Sequence, residues 1–135
     1  MAVIWGVRDE AGRVLRERPA FRIELTRIAQ PPSDVDAAEL IYGELVANTV
    51  RHARGAVEVR LEHAGSERAV LVVRDHGPGL KAAPAEARPD PLAESGRGLA
   101  IVEKLACGVA VEGAEGGGTI VRATLPITAR TTPPG

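Results

Sequence analysis

Cysteine and aromatic residues are nearly absent from this chain. Cys107 is its one cysteine, which excludes an internal disulfide and any zinc cluster built on cysteines. His63 and His76 have no cysteine or histidine at metal-ligand spacing. Phe, Trp and Tyr occur once each, so Val, Leu, Ile and Ala must build the hydrophobic core.

A strong charge bias and long apolar runs are missing as well. The formal net charge of −1 argues against a nucleic-acid binder, which usually carries a clear basic excess. No apolar run approaches the ~20 residues that cross a bilayer, and no basic start leads into a signal-type apolar stretch. We therefore expect a cytoplasmic protein without direct contact to nucleic acid or membrane.

The length of 135 residues predicts a single domain that can bury most of its apolar surface. We place this domain at residues 1–128 and expect a disordered tail at 129–135, where Pro133-Pro134-Gly135 ends the chain. Residues 80–95 are rich in Ala, Pro, Glu and Asp and show no period. This segment predicts a mobile lid.

Hydrophobic periodicity predicts an alternation of strands and helices. Ser33-Asp34-Val35-Asp36 is typical of a helix start with Ser33 as the cap, and this helix continues to about His52. Strands are predicted at 3–7, 57–61, 69–73, 109–112 and 120–125, and a further helix at 98–106. The stretch 69–73 is apolar throughout, which indicates a central strand.

Residues 10–29 allow two interpretations. Val14, Phe21, Leu25 and Ile28 recur at helical spacing, but Pro19 interrupts the pattern. Either one bent helix covers 10–29, or the helix begins with Pro19 in its first turn. The Pro31-Pro32 pair ends the helix in both cases.

Two glycine motifs follow predicted strands or precede predicted helices. Asp75-His-Gly77-Pro-Gly79 is either an ordinary turn or a site where Asp75 accepts a hydrogen bond from an exocyclic amine such as adenine N6. In the second case the glycines let the backbone approach the ring. Gly96-Arg97-Gly98-Leu99 is either a flexible loop or an anion site, because backbone N–H groups at a helix start bind phosphate. Arg97 would then reach a terminal phosphate.

The helix predicted from Ser33-Asp34-Val35-Asp36 to about His52 carries a polar stripe of Glu44, Asn48, Arg51 and His52. A solvated face is the ordinary explanation of such a stripe. The functional interpretation gives Asn48 an oxygen for Mg²⁺, which prefers oxygen ligands. Glu44, one turn earlier, could serve as a general base. The last motif, Gly116-Gly-Gly118-Thr119, is a glycine hairpin that needs no function by itself.

Together, and in this order, the four motifs resemble the ATP-binding domain of the GHKL superfamily, which includes gyrases and histidine kinases. The stretch 44–53 is similar to the N box, 75–79 and 96–99 to the two glycine boxes, and 116–119 to the last box, so the resemblance covers about 35–125. It implies a Bergerat-type α/β two-layer sandwich with a mixed, mostly antiparallel sheet and helices on one face. It also implies ATP or ADP and Mg²⁺ as cofactors.

Within the superfamily, the chain is most similar to anti-sigma-factor serine/threonine kinases. That resemblance implies that Glu44 is the base, that Asn48 holds Mg²⁺, and that Asp75 reads adenine. The implied nucleotide-binding residues are Asn48, Arg51, His52, Asp75, Gly77, Gly79, Gly96, Arg97, Gly98, Leu99 and Thr119. The implied partners are an anti-anti-sigma protein of the STAS type and a sigma factor, and a homodimer is compatible with it.

Two other interpretations stay open. The turn at 75–80 and the closing Gly-Gly-Thr119 also resemble histidine-kinase catalytic domains, and Leu99-Ala-Ile-Val102 lacks the aromatic residue common in anti-sigma kinases. A histidine-kinase catalytic domain acting in trans is therefore one alternative. The other is a non-catalytic ATP-binding module that binds a signalling partner.

Overall fold

The computed structural model describes residues 2–52, 56–63, 68–75, 97–113 and 117–129. Side chains at residues 2, 11, 50–52 and 97–99 fall outside this description. The elements are, in chain order, β1 (Ala2–Glu10), α1 (Ala11–Arg16), α2 (Arg18–Ile28), β2 (Ala29–Ser33), α3 (Val35–His52), β3 (Ala56–His63), β4 (Arg68–Asp75), α4 (Arg97–Leu105), β5 (Gly108–Gly113) and β6 (Thr119–Ala129).

The strands form one sheet in the order β1-β3-β4-β6, and β6 pairs along its far edge with both β5 and β2. Every pairing between the described strands is antiparallel. β4 therefore lies at the centre, as its continuous apolar sequence predicted. β6 is long enough to hold both edge strands, with β5 opposite Thr119–Thr124 and β2 opposite Ile127–Ala129.

The helices cover one face of this sheet and form the second layer. Odd-numbered residues of β3, β4 and β6 point to the helices, because side chains alternate along a strand. Val59, Leu61, Leu71, Ala123 and Leu125 are all 0% exposed and share one core with residues of all four helices. The predicted two-layer α/β sandwich, with helices on one face of a mostly antiparallel sheet, is confirmed, and the described strands show antiparallel pairs without the parallel pairing that a mixed sheet implies.

The three aromatic residues of the chain meet in one cluster. Trp5 of β1 lies 5.8 Å from Phe21 of α2, and the Phe21 ring stacks on Tyr42 of α3 with centroids 4.4 Å apart. The Tyr42 hydroxyl donates a 2.6 Å hydrogen bond to the Val14 carbonyl. Burial raises the pKa of Tyr42, so this hydroxyl keeps its proton and stays a donor. The cluster fixes the N-terminal helices against α3.

The stretch 10–29 forms two helices that meet at Glu17. The Glu17 N–H donates to the Val14 carbonyl at the end of α1, and its carbonyl accepts from Phe21 N at the start of α2. Pro19 lies in the first turn of α2, where its missing N–H costs nothing. The single bent helix is thus wrong, and the helix with Pro19 in its first turn is observed together with an additional helix before it.

Strand β2 was not predicted. Its sequence, Ala29–Ser33, shows no alternation of apolar and polar residues, and Pro31 and Pro32 have no backbone N–H to donate to a neighbouring strand. The strand pairs with β6 through Ala29, Gln30 and Ser33 and skips both prolines. Proline is tolerated at such an edge position, since no ladder hydrogen bond is required from it. The pairing is set by β6 rather than by the sequence of β2 itself.

Asp34 caps α3, and the prediction that Ser33 is the cap is wrong. Asp34 Oδ1 accepts a hydrogen bond from Ala37 N at 3.0 Å, and the Asp34 carbonyl accepts from Ala38 N. Ser33 belongs to β2 instead, where its hydroxyl donates to the Gln30 carbonyl and accepts from Thr128 N. The tertiary contact with β6 moves the helix start by one residue.

The other face of the sheet carries charged residues. Arg60 and Arg122 lie directly across from Val72 on its two sides. Arg60 Nε lies 3.1 Å from Glu62 Oε2, and Arg122 pairs with Glu112. Val72 is only 2% exposed although it lies outside the core, because long arginine side chains can cover apolar surface with their stems.

Several predictions fall partly or wholly beyond this description. The predicted lid at 80–95, residues 76–79 of the first glycine motif and Gly96 lie outside the described residues. Ala129 belongs to β6, and the remainder of the predicted tail, 130–135, is also outside. In the part of the chain that the structure describes, no helix is long and apolar enough to span a bilayer.

Candidate functional site

Helix α3 holds the first two candidate residues. Its opposite side is anchored by Tyr42, Leu45 and Val46, all at most 1% exposed. Glu44 is half-buried and Asn48 is 8% exposed, so neither belongs to a simple solvated face. Arg51 and His52 complete α3, but their side chains are outside the description. Glu44 and Asn48 of the predicted stripe therefore lie on a helix whose position is fixed by the hydrophobic core.

Asn48 carries a buried polar atom that has no partner in the described part of the chain. Within the described residues, its Oδ1 accepts no hydrogen bond, although leaving such an acceptor unsatisfied costs about 1–3 kcal/mol. The adjacent Thr49 hydroxyl, by contrast, is satisfied by donating to the Leu45 carbonyl at 2.9 Å. An amide oxygen held in this way is suited to a hard cation, so Asn48 fits the predicted Mg²⁺ ligand.

The end of β4 brings Asp75 against the glycine hairpin before β6. Asp75 is half-buried. Gly117 and Gly118 have φ angles of 106° and 91°, a left-handed region that favours glycine. A Cβ built at Gly118 would lie 2.0 Å from the Asp75 carbonyl oxygen and 3.4 Å from its Oδ1. Gly118 therefore allows the two strands to close around Asp75.

Gly118 is the residue of this site whose role the sequence did not reveal. The prediction assigned ligand contact to Thr119, which begins β6 and is half-buried, and treated the glycines before it as a hairpin. The signal was present, because consecutive glycines before a strand indicate backbone that needs positive φ or a close approach. What it approaches could not be known without the β4–β6 pairing.

Helix α4 supplies the second glycine motif. It begins at Arg97 and packs against α3, with Val102 fully buried. Arg97, Gly98 and Leu99 form its first turn, so the helix begins one residue before the predicted start at Gly98, and the side chains of this turn are not described. The backbone N–H groups of a first turn have no intrahelical partners and attract anions. α3, α4 and the Asp75 end of β4 are thus parts of one packed unit.

Among the described residues, no group of three or more His, Cys, Asp or Glu could hold a metal ion. Mg²⁺ is commonly bound through one or two protein oxygens together with substrate phosphates and water. A single protein ligand such as Asn48 is therefore sufficient for a Mg²⁺ ion whose other ligands are polyphosphate oxygens and water.

Replacing Gly118 by Ala should destabilise the fold and weaken any ligand bound beside Asp75. The new Cβ overlaps the Asp75 carbonyl, and a non-glycine residue at this φ adds strain of roughly 1–3 kcal/mol. Thermal denaturation should show a clearly lower midpoint. Gly113→Ala, in the same β5–β6 hairpin, is the matched control because nothing lies within 4 Å of its Cβ position. Equal midpoints for the two variants would contradict this close approach.

The chain matches the histidine kinase-like ATPase domain family over residues 9–125, and it belongs to that family. It is 32% identical over 103 residues to the sensor protein CseC of Streptomyces coelicolor. That match covers 73% of this chain and 19% of CseC, so the chain spans about a fifth of the length of this relative.

Solved structures share the fold. The chain is similar to the mycobacterial sensor histidine kinase MprB, with a TM-score of 0.56, 22% identity, and coverage of 95% of this chain and 100% of that one. The histidine kinase domain of the E. coli osmosensor EnvZ gives a TM-score of 0.51 and 22% identity, covering 100% of this chain and 96% of that chain. ShkA, solved in complex with AMPPNP, gives 0.59 and 22%, covering 98% of this chain and 33% of ShkA.

These comparisons confirm the predicted GHKL superfamily and an ATP-binding domain. The relatives named here are sensor proteins and histidine kinases rather than anti-sigma-factor kinases. They favour the histidine-kinase alternative over the anti-sigma interpretation that the sequence placed first.

Proposed function

We propose that this chain is a Mg-ATP-dependent catalytic domain of the histidine-kinase type, which phosphorylates a histidine presented by another domain or chain. The observation that carries the proposal is Asn48, whose buried Oδ1 has no hydrogen-bond partner among the described residues. The similarity to the sensor protein CseC and to the sensor histidine kinase MprB supports histidine as the acceptor. A homodimer stays a prediction.

Each candidate residue has a place in this proposal. Asp75 accepts from the adenine amine, with Gly77, Gly79 and Thr119 beside the base. Gly96, together with the first turn of α4 at Arg97, Gly98 and Leu99, would bind the phosphates through backbone N–H groups and the Arg97 guanidinium. Asn48, together with phosphate oxygens, would hold Mg²⁺, and Arg51 and His52 flank the phosphates. When bound, Mg²⁺ neutralises charge on the phosphates.

The protein residues then position and activate the acceptor. A nucleophilic nitrogen attacks the γ-phosphorus, the bond to the β–γ bridging oxygen breaks, and ADP leaves with that oxygen. Glu44 takes the proton that the acceptor loses. Arg97 and the α4 N–H groups stabilise the charge on the transferred group. Phosphoryl transfer requires little further covalent chemistry from the protein, since positioning and electrostatics supply most of the rate.

A second candidate function is the anti-sigma-factor type serine/threonine kinase. Glu44 supports it, because a hydroxyl acceptor requires a general base more strongly than a neutral imidazole does. In that case the acceptor is a serine or threonine of a STAS-type protein, and a sigma factor is the regulated partner. The non-catalytic ATP-binding module remains the third candidate.

Labelled ATP separates the three functions. The protein is incubated with γ-labelled ATP and either the histidine-bearing dimerisation domain of a related sensor kinase or a STAS protein. Acid-labile, alkali-stable label on the first supports the proposal, since phosphohistidine has this chemistry. Acid-stable label on the second supports the serine/threonine kinase instead. ATP binding without transfer to either supports the module.

Asn48→Ala should weaken ATP binding only when Mg²⁺ is present. The lost oxygen is a ligand to a charged group, worth about 1.5–3 kcal/mol, or roughly a 10- to 100-fold rise in Kd. Calorimetric titration of ATP with Mg²⁺ and with EDTA measures both conditions. A merely structural role for Asn48 predicts equal losses in the two titrations, and that result would remove Asn48 from the proposed metal site.

A further inference from the structure

A cavity lies on the face of the sheet that the helices do not cover. Its volume is about 430 Å³, and its described lining consists of Glu62, Val70, Gly108, Val109, Ala110, Arg122 and Thr124. Glu62 lies opposite Val70, Val70 opposite Thr124, and Thr124 opposite Gly108. These four residues form one row across β3, β4, β6 and β5. The cavity volume is typical of small-ligand sites.

Small residues create this depression. Gly108 has no side chain, and Thr124 and Ala110 have short ones. The molecular surface over β5 and β6 therefore lies close to the backbone of the sheet. The neighbouring row consists of Arg60, Val72 and Arg122. Its long arginine side chains extend further from the sheet and form a wall beside the depression. The result is a trough lined mostly by apolar and small residues, with the exposed Arg122 at its rim and the buried Glu62 inside it.

Glu62 is the polar group buried most deeply in this trough. Its side chain is only 5% exposed, whereas that of Arg122 is 40% exposed. Arg60 Nε lies 3.1 Å from Glu62 Oε2 but makes no hydrogen bond in the described part of the chain. An ionised carboxylate offers about four acceptor positions, so this contact leaves acceptor capacity at Glu62.

We propose that this cavity binds an organic cation, an alkylguanidinium or alkylammonium whose charged head pairs with Glu62. Its apolar arm lies on Val70 and the small residues of β5 and β6. An anion is less suited, because the charged group buried in the cavity is the Glu62 carboxylate, whereas Arg122 lies at the rim, is 40% exposed and pairs with Glu112. The cation comes either from a free small amine or from a Lys or Arg side chain of a partner. This site does not depend on the proposed nucleotide chemistry.

Butylguanidinium and butylurea provide a matched pair of probes, since they share shape and differ in charge. In ¹H–¹⁵N NMR titrations of the full chain, butylguanidinium should give saturable shifts at 108–110 and 122–124. Butylurea should bind at least about tenfold more weakly. Equal binding of butylguanidinium and butylurea would overturn the proposal. The absence of saturable shifts with both butylguanidinium and an arginine-containing peptide would also overturn it.

The peptide acetyl-Gly-Arg-Gly-amide distinguishes the two sources of the cation. Tighter binding of the peptide than of butylguanidinium identifies a partner side chain as the ligand. Tighter binding of butylguanidinium identifies a free small cation. Both results support the site.

Two variants test the site without relying on one substitution. Glu62→Gln keeps the shape and should weaken butylguanidinium binding about tenfold, whereas Glu58→Gln, on the same face of β3 but outside the lining, should leave it within about twofold. Gly108→Leu should block the cavity. Its Cβ meets only Thr124 Oγ1, at 3.9 Å, and its φ lies outside the left-handed region. Unchanged cation binding in both Glu62→Gln and Gly108→Leu would contradict the proposal.

Discussion

Glu44→Gln should slow phosphoryl transfer by about 10²–10⁴-fold, the usual contribution of a general base, while ATP affinity stays nearly unchanged. The amide has almost the shape of the carboxylate but cannot accept the proton that the acceptor loses. Glu44 is half-buried on α3, one turn before Asn48, so it can face the phosphates without being a ligand to them. Transfer to the cognate acceptor, followed with γ-labelled ATP at saturating concentration, measures the rate of the chemical step.

Asp36→Asn is the matched control for Glu44→Gln. Asp36 is an acidic residue of the same helix, with a side chain that is 85% exposed and bonded to Arg22. Asp36→Asn removes one negative charge from α3, as Glu44→Gln does, but about two turns away from Glu44. The transfer rate of Asp36→Asn should therefore stay at the wild-type value. A wild-type rate in Glu44→Gln would show that the mechanism proposed for Glu44 is wrong.

Asp75→Ala should remove most of the ATP and ADP affinity. A charged acceptor that pairs with the adenine amine is worth about 1.5–3 kcal/mol, which corresponds to a roughly 10- to 100-fold rise in Kd. Because Asp75 reads the base and not the phosphates, the loss should be the same for ATP and ADP, and the same with and without Mg²⁺. This pattern separates Asp75 from Asn48, whose loss requires Mg²⁺.

Calorimetry with both nucleotides, together with thermal denaturation of the free protein, tests this expectation. Asp75 lies against Gly118, so a drop in stability has to be distinguished from a loss of binding. Asp75→Asn keeps the size of the side chain and serves as the control for packing. Equal nucleotide affinity in the wild type and in Asp75→Ala would show that the adenine assignment is wrong.

The sequence predicted best the elements whose pattern is local. The alternation in β3 and the apolar run of β4 required only the two-residue period of a strand, and the motif order indicated the superfamily that the family match confirms. The sequence was least informative about elements that form only through contact with another element. β2 exists because β6 is long enough to pair with it, and this same pairing takes Ser33 and leaves Asp34 to cap α3.

The candidate site divides in the same way. Residue types and spacing alone determined that Glu44 and Asn48 share a helical stripe and that Asp75 ends a strand, because helix and strand periods are properties of the local chain. Only the tertiary structure decided that the Asn48 oxygen is buried without a hydrogen-bond partner among the described residues, and that Gly118 closes on Asp75. Burial and close approach depend on which elements pack together, and α3, β4 and β6 are brought together by the shared core rather than by their separation along the chain.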